Sequence, residues 1–299
     1  MNPSRRTFIK NSGLTLAAAS LAGIPDLFAD SNTAFTHSDL TIQQVIDKII
    51  AQIPGGKREQ TVDTIKSSDS SRKITGIVTT FLATVDVIQA AIEKGANLII
   101  THEPTYYNHL DETEWLKNDP VYAYKRDLLE KNNIVVWRFH DYWHSHRPDG
   151  IMTGFLQDMA WENFTDPNRR NTCVIPETTM GKLAKVFAKK LQLGRCFTVG
   201  DPEMTCRNIG LLLGASGRQS HIGFLQQDID VLVVGEVSEW ETAEYVRDAS
   251  LAGMKKGLII LGHAKSEEPG MRYLVEWLKN LIPEVPAYHV PANDPFRPV

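Results

Sequence analysis

Several common functions leave marks that this sequence lacks. Its 3 cysteines, Cys173, Cys196 and Cys206, contain no C-x-x-C pair. Neither a thiolate zinc site nor a disulfide framework is indicated, although one pairing among the three stays open in an oxidising compartment. Charge is close to balanced, with a formal net of −4. The basic residues are scattered, which argues against a nucleic-acid surface. There is no P-loop lysine motif, and residues 210–217 do not form G-x-G-x-x-G. No G-x-S-x-G elbow is present. The weakly apolar stretch 13–24 (GLTLAAASLAGI) is too short to span a bilayer as a helix.

That stretch follows Ser4-Arg5-Arg6-Thr7-Phe8-Ile9-Lys10, which has the twin-arginine form S-R-R-x-F-[LI]-K. Residues 1–29 are therefore expected to be a Tat export signal with a cleavage position after Ala29, and the protein to be periplasmic or otherwise extracytoplasmic. The Tat route carries folded proteins, which suits a chain already loaded with its cofactor. No stable membrane anchor is expected.

What the sequence does have is histidine in the right places. Residues 138–149 read RFHDYWHSHRPD and set His140, His144 and His146 beside Asp141 and Asp149, after the apolar run IVVW. Two further segments, THEPTYYNH (101–109) and GHAKSEE (262–268), also follow apolar runs. Neutral imidazole and carboxylate are the usual ligands of first-row transition metals. Three segments ending alike point to one shared site.

The hydrophobic content is 42%, enough for a substantial core. Residues 41–53 have helical spacing with a threonine available as a cap. Residues 55–72 are polar and read as loop. After them come a strand (74–84), a helix ending at Gly95, a strand (96–104), a helix (121–131), the strand before His140, and a helix near 151–162. A helix at 178–191 opens a second half of similar grammar, with strands at 207–217, 231–234 and from 256, helices at 238–253 and through 278, and an edge strand in PAYHVP (286–291). This alternation predicts an α/β fold with mainly parallel or mixed sheets, in an N-terminal part 40–164 and a C-terminal part 172–299 that completes the site. In such folds ligands bind outside the carboxyl ends of the strands, where all three histidine segments fall.

His102 and Glu103 are adjacent at a strand end and splay apart. They suit a two-metal centre with one ion each, or one ligand and one acid or base. His140 and His144 share a face if the chain turns helically there, and His144 and His146 share one if it stays extended. Not all three need be ligands, since one can orient another ring or touch substrate. His263 and Glu267 are four apart on a helix start and can meet at one centre. His109, His221 and His289 read as structural or surface residues.

As a set, these motifs resemble the dinuclear metal-centre hexameric proteins, the Nif-three-like family labelled GTP cyclohydrolase I type 2. That family's apolar run and H-H-P appears as Ile99-Ile100-Thr101-His102-Glu103-Pro104. Its H-x-x-x-D-x-H appears as His140 to His146, with His144 in place of the aspartate. Its T-G-E-[VM]-S-[EH] appears as Val234 to Glu239, and its G-H-x-x-x-E as Gly262-His263 with Glu267. The match is collinear over residues 40–278 and looks like the short form without a middle domain.

The resemblance implies two linked α/β domains, a homo-hexamer, and two divalent ions per chain (Zn, Mn or Fe) held by His102, Glu103, His144, His263 and Glu267. It departs at Glu103, where a histidine is expected, and at His144, where a bridging aspartate is expected. The expected activity is hydrolysis of a phosphoester or a ring C–N bond in a small molecule, with His140, His146, Glu236 and Glu239 as candidate acid/base groups. Nothing in the sequence reads guanine or triphosphate, so GTP itself is discounted. The alternative is a non-catalytic hexameric metal-binding scaffold.

Overall fold

The computed structural model describes residues 38–296; the twin-arginine segment lies outside them. Among the described residues no helix is long and apolar enough to cross a membrane. All three cysteines are free. The described residues form one compact unit containing two five-stranded sheets.

The chain opens with α1 (Ile42–Ile50), capped by Thr41 in a reciprocal box with Gln44. A short strand β1 (Ile65–Ser67) follows, inside the stretch that reads as loop. Next come β2 (Ile77–Thr80), α2 (Val85–Glu93), β3 (Leu98–Thr101), α3 (Pro120–Lys131) and β4 (Val135–Arg138). Thr84 caps α2, and Asp119 caps α3 with Pro120 in its first turn. A single-turn helix α4 (Asp141–Ser145) then runs into α5 (Gly150–Met159).

The second half holds β5 (Thr172–Thr179), α6 (Met180–Lys190), β6 (Phe197–Val199), β7 (Thr205–Leu212), α7 (Gly217–Leu225) and β8 (Val231–Val234). A π-helical turn (Glu239–Ala243) leads into α8 (Glu244–Leu251), then β9 (Gly257–Ile260), the long α9 (His263–Leu281) and β10 (Ala287–His289).

The first sheet runs β1-β4-β3-β2-β10, with β4, β3, β2 and β10 parallel and β1 antiparallel at the edge. The second runs β5-β7-β8-β9-β6, with β7, β8 and β9 parallel between antiparallel edges. The parallel strands are apolar on both faces because helices cover both. Alternate residues of one strand therefore enter different cores. Ile77 packs with α1 and α9 through Ile49 and Leu274, whereas its neighbour Val78 packs with α2 and α3 through Ile88 and Leu129. In the second sheet, Val231 and Val233 face α5 and α6, while Leu232 and Val234 face α7 and α8.

Helix α9 ties the two sheets together. It starts at the end of β9, packs in the core of the first sheet, and feeds β10 onto the edge of β2. Its crossing with α5 is close because glycines meet there: a Cβ on Gly154 would lie 2.4 Å from the Pro269 carbonyl, and one on Gly270 would lie 2.5 Å from the Ile151 Cα.

Candidate metal centre

The strands of both sheets deliver polar side chains just past their carboxyl ends. His102 and Glu103 follow β3, His140 and His144 follow β4, Glu236 follows β8, and His263 opens α9 after β9 with Glu267 one turn on. His102 is fully buried, and Glu267 is only 3% exposed.

The two sides meet through these groups. Glu267 Oε2 lies 3.1 Å from His263 Nε2 and 3.5 Å from His102 Nε2. Glu103 Oε1 lies 3.5 Å from His263 Nε2 and 3.7 Å from His140 Nε2. Glu236 Oε2 reaches His263 Nδ1 at 3.4 Å. Two sets of ligand atoms come within 4.8 Å of one another: those of His102, His140 and His144, and those of His102, Glu103 and Glu267. Of the five ligands expected from sequence, all thus lie in one place, and His140 lies with them.

The other two acid/base candidates sit apart. His146 packs against Trp143 and Trp277, with ring centroids at 5.0 and 5.6 Å, and its Nδ1–H donates to the Pro148 carbonyl. Glu239 is exposed at the head of the π-helical turn. His221 and His289 are drawn into local pairs with Thr242 and Glu268.

Local structure explains the placement. A helical turn at 141–145 puts His140 and His144 on one face, with ring centroids 5.0 Å apart. Asp63, buried in the polar stretch before β1, holds that turn in place. Its carboxylate accepts from the backbone N–H groups of His140, Asp141 and Tyr142 at 2.8, 3.1 and 2.8 Å, an anion against a helix N-terminus. Asp141 in turn accepts from Thr61 and Val62 and meets His140 Nδ1 at 2.9 Å, while Asp149 meets His144 Nδ1 at 3.0 Å.

Arg138, fully buried, donates to the His102 and His109 carbonyls and approaches Glu103 at 3.5 Å. On the far side Gly214 (φ +69°) presses against the site, where a Cβ would fall 2.1 Å from Glu267 Oε1. Sequence reasoning misses Asp63, Arg138 and Gly214 as parts of the site. Only Gly214, at the end of an apolar run, carries a signal that could have been used.

The electrostatics favour a cation. Burial opposes charge on His263, yet hydrogen bonds to Glu103, Glu236 and Glu267 prevail and push its pKa up to about 12. The carboxyls answer in the opposite sense. Burial works against ionisation of Glu103, but His263 and then His140 and Arg138 hold it below its usual range. Glu236 is lowered first by its hydrogen bond to His263. His102 is held well below its ordinary value by burial and by His140 and His144, so it stays neutral with a free lone pair. His144 loses to burial but gains more from Asp149, and ends raised.

One buried ligand atom, His102 Nε2, has no hydrogen-bond partner, and Glu267 Oε2 beside it has only the His263 ring at 3.1 Å. Orphaned buried polar atoms are costly and rare in folded proteins. A divalent ion would satisfy both and replace the proton on His263 as counter-charge to the carboxylates. The residues fit a metal of the kind that imidazole and carboxylate bind.

Comparison with known proteins agrees with this fold. A GTP cyclohydrolase 1 type 2 homolog of Clostridium perfringens is 23% identical over 240 residues, covering 77% of this chain and 88% of that one. The solved structure of a Staphylococcus aureus hypothetical protein superposes with a TM-score of 0.70 at 18% identity, over 88% of this chain and 100% of that one. A Bacillus cereus protein related to NIF3 gives a TM-score of 0.70 at 13% identity over the same shares. The family Duf34/NIF3 (NGG1p interacting factor 3) matches residues 63–294, from the aspartate that caps the histidine turn to the end of the last strand's tail, and the chain belongs to that family.

Proposed function

We propose that this chain is a metal-dependent hydrolase acting on a phosphoester or a ring C–N bond of a small molecule. The second option is the chemistry named in its clostridial relatives. The observation that carries the reading is the buried, unpartnered His102 Nε2, which faces Glu267 inside a ring of imidazoles and carboxylates. Two divalent ions (Zn, Mn or Fe), held by His102, Glu103, His144, His263 and Glu267, would supply Lewis acidity that lowers the pKa of water and polarises a substrate oxygen.

The chain's own groups then have distinct tasks. Glu236 is exposed at the mouth of the site and ionised, so its Oε2 can take a proton from an incoming nucleophile. Asp141 keeps a proton on His140 Nδ1 and leaves Nε2 facing the site. Arg138 steadies Glu103 and offsets its charge. Glu239 and His146 stand outside this ring and suit contact with the outer part of a larger substrate. The protein is also proposed to be a homo-oligomer, hexameric as its resemblance implies, and to be exported by the Tat route.

A second reading has one observation in its favour. Glu103 and His144 stand exchanged relative to the expected histidine and bridging aspartate, and an imidazole cannot bridge two ions through one nitrogen. A non-catalytic metal-binding scaffold would tolerate that exchange. Metal-loaded protein should be screened against phosphoesters, cyclic amides and nucleotides with Zn, Mn and Fe each tested. Turnover that disappears in His263→Ala supports the hydrolase, and silence across all three metals supports the scaffold. Elemental analysis should find one to two ions per chain, lost on His263→Ala and His144→Ala.

A further inference from the structure

Within this site the histidines are arranged in a way that the ligand set carried over from the family does not use. His102, His140 and His144 form a closed triangle of rings. Their centroids are 4.6 Å apart for His102 and His140, 5.0 Å for His102 and His144, and 5.0 Å for His140 and His144. Each ring is fixed through Nδ1. His140 is held by Asp141 at 2.9 Å, His144 by Asp149 at 3.0 Å, and His102 by the Phe139 carbonyl at 3.3 Å. With every Nδ1 engaged as a donor, Nε2 is the free nitrogen on each ring. A carboxylate or carbonyl on the far nitrogen is how proteins fix the tautomer and orientation of metal-binding imidazoles. The Nε2 of His102, fully buried, has no hydrogen-bond partner.

Resting on the metal-binding reading above, we propose that the centre has two unlike halves, with His102 committed through Nε2 to the first. One is a nitrogen half made of His102, His140 and His144. The other is an oxygen half made of Glu103 and Glu267 with His263. His140 is then a ligand rather than an acid or base. Three neutral imidazoles suit a borderline ion of the zinc and copper class, whereas carboxylate oxygens accept harder ions such as manganese. The nitrogen half has its rings oriented by groups outside the site, so it fills first. In the oxygen half Glu103 and Glu267 already contact His263, at 3.5 and 3.1 Å, and an ion must displace those contacts, so this half fills second and more weakly.

The experiment titrates metal-free full-length protein with Cu²⁺ and follows electron paramagnetic resonance, with Zn²⁺ and Mn²⁺ binding counted in parallel. The first equivalent of Cu²⁺ should show coupling to three imidazole nitrogens, and Zn²⁺ should occupy that position in preference to Mn²⁺. His140→Gln should reduce the coupling to two nitrogens and weaken the first equivalent more than about tenfold. Glu267→Gln should leave the first-equivalent spectrum in place and remove the second. A wild-type first equivalent with one or two nitrogens overturns the three-histidine half without needing any variant, and so does a spectrum unchanged by His140→Gln. Protein that takes up no metal at all overturns the metal-binding reading itself, a different outcome from either.

Discussion

Asp63 concentrates much of the site's positioning in one side chain. Its two oxygens take three backbone N–H groups of the turn that carries His140 and His144, at 6% exposure. Asp63→Ala leaves three donors unsatisfied in a buried place, so it should cost about 3 kcal/mol in urea unfolding. It should also weaken metal binding about 10- to 100-fold, because the rings lose their frame while every ligand remains. Isothermal titration with Zn²⁺ checks the second effect. Nothing in the sequence marks Asp63. It is one aspartate in a polar stretch, and its partners are 77 to 79 residues away. The histidines were legible because each follows an apolar run, and a strand end is where an α/β fold exposes side chains.

A second residue links the fold to pH. Lys125 is 2% exposed and donates to the Thr105 carbonyl, with its ammonium near the rings of Tyr106 and Tyr107. Burial lowers its pKa from 10.5 to about 8, with Asp111 opposing. The folded pKa is below the unfolded one, so between those values the unfolded chain binds more protons and stability rises with pH. The burial penalty is fully present below pH 8 and is relieved as pH climbs toward 10.5. The lysine's share of this gain is about 3 kcal/mol at most. Chemical unfolding at pH 7.5 and 10 should show the rise, and Lys125→Met should flatten it.

Among the elements, the turn after β7 governs the oxygen side of the site. Gly214 has φ +69° and sits where a methyl group would overlap Glu267. Its N–H donates to Ser266 and its carbonyl accepts from Glu236, so the ends of β7 and β8 and the first turn of α9 are bonded through one residue. Gly214→Ala is strained twice, by backbone and by contact. It should lower stability by about 2 kcal/mol and displace Glu267. The expected readout is loss of part of the bound metal by elemental analysis, with the helical circular dichroism kept.

Element by element, legibility followed burial. The parallel strands β2, β3, β4, β8 and β9 are apolar runs with turn residues around them, and Thr41 and Thr84 announce the helices they cap. The edge strands were harder. β1 is three residues, β6 is largely exposed, and β5 contains Pro176 and exposed polar residues, so none shows a period. α7 shows no helical period for the same reason, since His221 and Leu225 are its only buried residues. The π-helical turn at 239–243 falls inside a helix that sequence places correctly, and periodicity cannot resolve an extra residue per turn.

At the scale of the whole molecule, the family and its α/β architecture are established by the match over residues 63–294. The sequence pattern places PAYHVP at a sheet edge, but not at the edge of the first sheet. Strand pairing across Thr79 and His289, 210 residues apart, leaves no local trace. Light scattering with size-exclusion chromatography should give about six times the chain mass, and a monomer would sink the hexamer. Removing residues 286–299 should expose the β2 edge and destabilise the first sheet more than the second. Hydrogen exchange would show this as protection lost at residues 77–80 before residues 231–234.

The placement of α9 and β10 also sets the order in which the protein can be made. His263 and Glu267 lie on the helix that crosses back to the first sheet, and β10 seals the edge of β2. During synthesis the histidines at 102, 140 and 144 emerge long before His263 and Glu267, while the first sheet still lacks a strand. The nascent chain therefore holds three early imidazoles and an open sheet edge, both hazards in a cell with free metal and other unfolded chains. Closure of the last helix brings His263 and Glu267 to the candidate site and covers that edge in one event. Closing the first sheet and assembling the candidate site are, by this topology, the same step.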